Sequence, residues 1–120
     1  MAKRKILLAE DDATMVSLLK TLLSMEGYQV VVLANEVNIL EEIRAHQPDV
    51  LILDLHLFDL NGLDILENIR NASDIAGLRV IMSSGSNVKE ECLNRGAQGF
   101  LMKPYIPDDL FKLLKKVIAS

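Results

Sequence analysis

With 120 residues, half of them apolar, and a net charge of −4, the chain has material for one domain, 1–120, around a single hydrophobic core. The acidic balance argues against direct nucleic-acid binding by bulk electrostatics, and no apolar run approaches the roughly 20 residues that cross a bilayer. The basic start at Lys3, Arg4 and Lys5 meets too short an apolar run before Glu10 for a signal peptide, and the lone Cys92 excludes an internal disulfide or a multi-cysteine metal site, so a reducing, cytoplasmic setting is expected.

In chain order, residues 5–9 read as a first buried strand, closed by Glu10, Asp11 and Asp12. Met15, Leu18, Leu19, Leu22 and Leu23 recur at helical spacing until Gly27 stops the helix, and Asp12 is placed to cap its start. Residues 30–33 make a second strand. Asn35 is the expected N-cap of a helix whose apolar face is Ile39, Leu40 and Ile43, and Pro48 ends that connection.

Residues 50–53 are four aliphatic side chains in succession, the pattern of a strand covered on both faces, and they run into Asp54. A loop from Leu55 to Asn61 leads through Gly62 to a third helix with Leu63, Leu66 and Ile69 in one stripe. Residues 80–82 are strand four, followed by Ser83, Ser84 and Gly85. Helix four, about 87–95, is the weak member: Val88, Cys92 and Leu93 are its few apolar positions, and it is expected to be held loosely. Cys92 reads there as a small apolar residue. Residues 100–102 form strand five before Lys103 and Pro104, and Pro107 opens a last helix with Leu110, Leu113, Leu114, Val117 and Ile118 inward.

Strict alternation of strand and helix predicts an α/β fold: a five-stranded parallel sheet with right-handed crossovers and helices on both faces, a doubly wound three-layer sandwich. The flavodoxin-like order 2-1-3-4-5, taken as the expected one, puts the switch point between strands one and three. A closed barrel of eight such units needs about twice this length. In the open sheet, chemistry gathers at the carboxyl edge of the strands. That edge collects Glu10 and Asp11 from strand one, Asp54 from strand three, Ser84 from strand four and Lys103 from strand five. Three carboxylates so close repel by about 1 kcal/mol per pair in water and by more in a shielded site, so a cation is expected among them. All-oxygen ligands at an open edge favour Mg2+ over zinc. The same cleft suits a phosphoryl group on Asp54, with Lys103 and the Ser84 hydroxyl on its other oxygens.

Glu10 and Asp11, Asp54, Gly62, Ser84, and the Lys103 and Pro104 pair span almost the whole chain, and on them the sequence resembles the receiver domains of two-component response regulators. The resemblance implies that Asp54 accepts a phosphoryl group from a histidine kinase or phosphotransfer protein. It implies Mg2+ ligation by Asp11 and Asp54, by Glu10 mainly through water, and by the His56 backbone carbonyl. Ser84 and Phe100 would form a switch pair that moves helix four, and the face of helix four, strand five and helix five would signal to an output domain or downstream protein, or pair two copies of the chain. The Lys103 to Pro104 bond is expected to be cis.

Three departures from the usual pattern bear on switching rather than on phosphorylation. Phe58 stands where proline is common in the family, so a looser loop after Asp54 is expected. Ser84 and Gly85 replace the commoner threonine and alanine, keeping the hydroxyl without its stiffening methyl, and Phe100 replaces tyrosine and loses a hydrogen bond. The His56 ring, at the mouth of the site, is expected to shape access of water to the aspartyl phosphate, against the simpler reading of an exposed loop histidine. Two other readings were open on residues alone. A flavin-binding electron carrier would want glycines and amides, not Glu10, Asp11 and Asp12, after strand one. A receiver-like module that only docks would not need the acidic, hydroxyl and lysine set.

Overall fold

The computed structural model describes residues 3–34, 38–57 and 60–119. Strands β1 (Lys5–Ala9), β2 (Gln29–Val32), β3 (Val50–Asp54), β4 (Arg79–Ser84) and β5 (Gly99–Met102) alternate with helices α1 (Ala13–Met25), α2 (Ile39–His46), α3 (Gly62–Asn71), α4 (Lys89–Asn94) and α5 (Pro107–Ala119). All pairings are parallel, as the alternation dictates, and the order is β2-β1-β3-β4-β5, one of the two common doubly wound arrangements. The central β3 is buried at every position.

Side chains of the inner strands leave alternately for two cores. Ile6, Leu8, Val50, Ile52 and Ile81 meet Leu19 and Leu23 of α1 and Leu110, Leu114 and Val117 of α5. Leu7, Ala9, Leu51, Leu53, Val80 and Met82 meet Ile39 and Ile43 of α2, Leu63, Ile65, Leu66 and Ile69 of α3, and Cys92 of α4. A period of two along each strand thus divides the helices between the two faces. No helix among the described residues is long and apolar enough to cross a membrane.

The structure corrects several details. Leu18 is exposed: the buried stripe of α1 runs through Leu19 and Leu23, and a 100° turn per residue carries Leu18 off it. The expected cap Asn35 lies outside the described residues, as does Phe58. The N-cap of α2 is Asn38, whose side chain accepts from the Glu41 N–H at 3.1 Å. Helix α4 is shorter than expected, six residues, with Cys92 buried but Leu93 exposed. Its N-cap, Val88, has no side chain able to accept from the first turn.

One glycine is demanded by space. A Cβ on Gly62 would lie 2.8 Å from the Leu55 Cα and 2.9 Å from the Asp54 carbonyl oxygen, backbone atoms that belong to the end of β3. The Gly62 N–H also donates to the Leu55 carbonyl at 2.6 Å, so Gly62 lies tightly against the strand end that carries Asp54. Gly62→Ala is therefore expected to cost about 1–3 kcal/mol in urea unfolding, the range for forced overpacking. A variant as stable as the parent would show that the loop has slack.

Candidate functional site

Among the described residues the buried polar or charged side chains are Glu10, Asp54, Ser83 and Ser84, and all of them sit at the carboxyl edge of the sheet. Burying such groups without partners is costly, so their concentration on one rim requires compensation there. Backbone pairing supplies the positions. Asp54 ends β3 opposite Ser83, the Leu55 N–H continues the ladder to the Ser83 carbonyl at 2.8 Å, and the Lys103 N–H donates to the Ser84 carbonyl at 2.8 Å just beyond β5. The Lys103–Pro104 peptide is cis.

The compensation is an ammonium. Lys103 Nζ donates to Glu10 Oε1 at 3.0 Å, to Glu10 Oε2 at 2.9 Å and to Asp54 Oδ2 at 3.1 Å, using all of its donors. Sequence reasoning set Lys103 on the far flank as a phosphate ligand and left the carboxylates to a metal. The structure puts Lys103 between Glu10 and Asp54, where it already offsets their repulsion. The other Asp54 oxygen, Oδ1, accepts the His56 N–H at 3.1 Å. Among the described residues each Asp54 oxygen carries one hydrogen bond, which leaves it acceptor capacity for another partner.

Burial pushes the Glu10 carboxyl above the usual carboxylate range. The hydrogen bond from Lys103 opposes that push, and the Asp54 charge adds to it. Burial alone would lower Lys103, but its hydrogen bonds to Glu10 and Asp54 prevail and raise it. Tyr105, a neighbour that sequence reasoning missed, is pushed up to about 12, by burial first and then by the Glu10 charge. Its ring packs into the α1 and α5 core, and the only signal for it in the sequence was its place two residues beyond Lys103.

Asp11 is exposed at the lip of the cleft. Glu10, Asp11 and Asp54 each present a carboxylate oxygen, all within 4.8 Å of one another. This donor set, hard, anionic and open on one side, fits a divalent cation such as Mg2+. Asp12 caps α1, its Oδ1 accepting from the Thr14 and Met15 N–H groups at 3.0 and 3.1 Å, as expected.

Two expected residues stand apart from the charged group. Ser84 is buried, and its Oγ accepts the Ser86 N–H at 3.1 Å, so the hydroxyl is engaged with its own loop. Phe100 is half-buried against the core on the α2, α3 and α4 side. The His56 side chain is exposed and its backbone N–H is the group that meets Asp54. A separate depression of about 430 Å³, lined by Ile43, Pro48, Ile75 and Leu78 beneath the Arg44–Asp74 ion pair, lies at the opposite edge of the sheet.

Comparison with known proteins bears on this rim. The family model described as the response regulator receiver domain matches residues 6–115. The DNA-binding response regulator MtrA of Mycobacterium leprae is 30% identical over 111 residues, covering 90% of this chain and 48% of that protein. The chain spans about half the length of the curated relatives it matches. Among solved structures, the N-terminal domain of the nisin resistance regulator NsrR superposes with a TM-score of 0.86 at 32% identity, covering 98% of this chain and 99% of that one. The chemotaxis response regulator CheY4 of Vibrio cholerae gives 0.86 at 25% identity, covering 97% and 99%.

Proposed function

Because the chain belongs to the response regulator receiver domain family of two-component systems, we propose that Asp54 accepts a phosphoryl group from a histidine kinase or phosphotransfer protein and that the chain relays its state to an output domain or partner. The observation that carries this reading is the gathering of the buried polar groups at one sheet rim, with Lys103 bridging Glu10 and Asp54. The chain covers about half of relatives named as transcriptional or DNA-binding regulators, which favours a DNA-binding output segment beyond this domain. The domain itself, with its net charge of −4, would not touch the nucleic acid or a membrane, and would work in the cytoplasm.

In the transfer, an Asp54 oxygen attacks phosphorus, the bond between phosphorus and the donor's nitrogen or oxygen breaks, and the leaving group takes up a proton. The His56 N–H on Oδ1 fixes the plane of the carboxylate, and Lys103 at Oδ2 stands ready to follow the negative charge onto a phosphoryl oxygen. Asp11, Asp54 and Glu10, with the His56 carbonyl, would hold Mg2+, which when bound supplies neutralising charge for the incoming phosphate. Ser84 would turn from the Ser86 N–H to a phosphoryl oxygen, and Phe100 would move with it, altering the face built from α4, β5 and α5. That face would meet the output or a second copy of the chain.

Borohydride reduction after incubation with acetyl phosphate and Mg2+ tests the assignment by trapping the acyl phosphate. The reduced residue should map to position 54, and its appearance at Glu10 or Asp11 instead would overturn the acceptor's identity. The exposed His56 ring gives a second expectation. His56→Asn should change the phosphate lifetime severalfold while Mg2+ affinity stays within about twofold, because His56 would serve the metal through its backbone carbonyl alone. An unchanged lifetime would dismiss a role for the ring.

A further inference from the structure

Helix α4 is held very unequally at its two ends. Arg70, at the end of α3, spends all five guanidinium N–H donors on the segments around it. Nε and Nη2 reach the Gly96 carbonyl at 3.0 and 2.6 Å, Nη1 reaches the Ala76 and Leu78 carbonyls at 2.9 and 2.7 Å, and Nη2 reaches Gln98 Oε1 at 2.9 Å. Gln98 Oε1 in turn accepts the Val80 N–H at 2.7 Å, tying the same turn to the start of β4. Gly96 takes φ +104, and a Cβ there would lie 2.9 Å from Arg70 Nε, so both the turn and the guanidinium's place against it require glycine. The Ala97 N–H closes onto the Cys92 carbonyl at 3.0 Å and that of Gly96 onto Leu93 at 3.1 Å. Arg95 adds an exposed ion pair to Glu67 of α3 at 3.6 Å.

The other end has little of this. Gly85, Ser86, Asn87, Lys89 and Glu90 are exposed, Val88 offers no capping side chain, and Gly85 has open space where a Cβ would stand. The ties among the described residues here are the Ser86 N–H to Ser84 Oγ at 3.1 Å, the Val88 N–H to the Ser86 carbonyl at 3.0 Å, the Cys92 N–H to the Val88 carbonyl at 3.0 Å and the half-buried Val88 side chain against the core, none of them a side-chain clamp like that of Arg70. The first of these is given up if the Ser84 hydroxyl rotates toward Asp54.

We propose that Arg70 is a positioning residue that anchors the C-terminal turn of α4, so that the helix works as a lever swinging at its N-terminal end, released by Ser84 and pivoting at 96–98. The signal then leaves the cleft through residues 86–90, with no sliding of α4 as a body. The anchor is a feature of the resting structure; its use in signalling rests on the receiver reading above.

The test is amide NMR on the whole chain, wild type and Gln98→Met, with Arg70→Gln as a second variant. Gln98→Met removes only the bonds to Arg70 and Val80 and keeps the fold within reach should Arg70→Gln fail to fold. In the unphosphorylated wild type, millisecond exchange should be confined to 84–90, with the amides of 96–98 quiet. In Gln98→Met, exchange should spread to 96–98 and hydrogen exchange of the Ala97 amide should quicken about tenfold. Equal exchange at both ends of α4 in the wild type, or no change at Ala97 in either variant that folds, overturns the anchor. With acetyl phosphate, and with uptake at Asp54 verified by mass, shift changes should be at least twofold larger at 86–90 than at 96–98. The opposite order overturns the lever. Absence of uptake is a failure of the receiver reading, and the anchor is then decided by the unphosphorylated arm alone.

Discussion

Lys103→Met is expected to destabilise the metal-free protein by about 2–4 kcal/mol, a fall in Tm of roughly 10 °C for a domain of this size. The loss comes from what the ammonium leaves behind. Glu10 and Asp54 are 5% and 7% exposed, and among the described residues Lys103 is the cation within hydrogen-bond reach of both. Methionine keeps the length of the stem and removes the charge, so the two carboxylates face each other in a partly dry cleft. The figure sits below the top of the range for broken buried pairs because the Lys103 side chain is itself 24% exposed.

The same deficit carries a pH signature. Burial already raises Glu10 above 4.5 in the wild type, against the pull of the Lys103 hydrogen bond. Without Lys103 it rises further, so over that window the folded variant binds more protons than the unfolded chain. Its stability therefore increases as pH falls toward 4.5 and decreases as pH rises. Urea unfolding at pH 5 and pH 8 should show the variant's penalty larger at pH 8. Adding Mg2+ should narrow the gap at pH 8, since a bound cation stabilises by mass action. A penalty below about 0.5 kcal/mol at pH 8, typical of exposed pairs, would contradict the bridging role.

The second large effect falls on chemistry. Asp11→Ala should lower Mg2+-dependent phosphoryl uptake by about a hundredfold or more, equivalent to roughly 2.7 kcal/mol in the barrier. Repulsion among the carboxylates leads one to expect a higher melting temperature for this variant without metal. The geometry sets the size of that rise. Asp11 is exposed, and Lys103 already offsets Glu10 and Asp54, so relief should amount to about 1 kcal/mol or less, a few degrees. Thermal unfolding in chelator measures it. A fall of more than a few degrees would show that Asp11 is not repelled by its neighbours.

What was legible in the sequence was whatever rests on periodicity and strand ends. The aliphatic run before Asp54 announced a buried central strand, and strict alternation implied a parallel sheet with helices on both faces. The order 2-1-3-4-5 is one of two common doubly wound arrangements that the same alternation allows. Asp12 as a cap and α4 as a thinly supported helix also followed from local pattern. The partners inside the cleft did not. That Lys103 spans Glu10 and Asp54 depends on where β5 ends relative to β1 and β3, separations of 93 and 49 residues that no local spacing encodes. Arg70 was invisible for the same reason: its acceptors are carbonyls of Ala76, Leu78 and Gly96, and backbone oxygens carry no residue signature. Leu18 was misread because a helix with six apolar positions in nine residues, 15–23, has more of them than one face can bury.

The most direct measurement is intact mass after treatment with acetyl phosphate, comparing the wild type with Asp54→Asn, each in Mg2+ and in chelator. The wild type should gain the mass of one phosphoryl group in Mg2+ and none in chelator, and Asp54→Asn should gain none in either. Uptake by Asp54→Asn equal to that of the wild type, or a wild type that stays unmodified in Mg2+, would contradict the account.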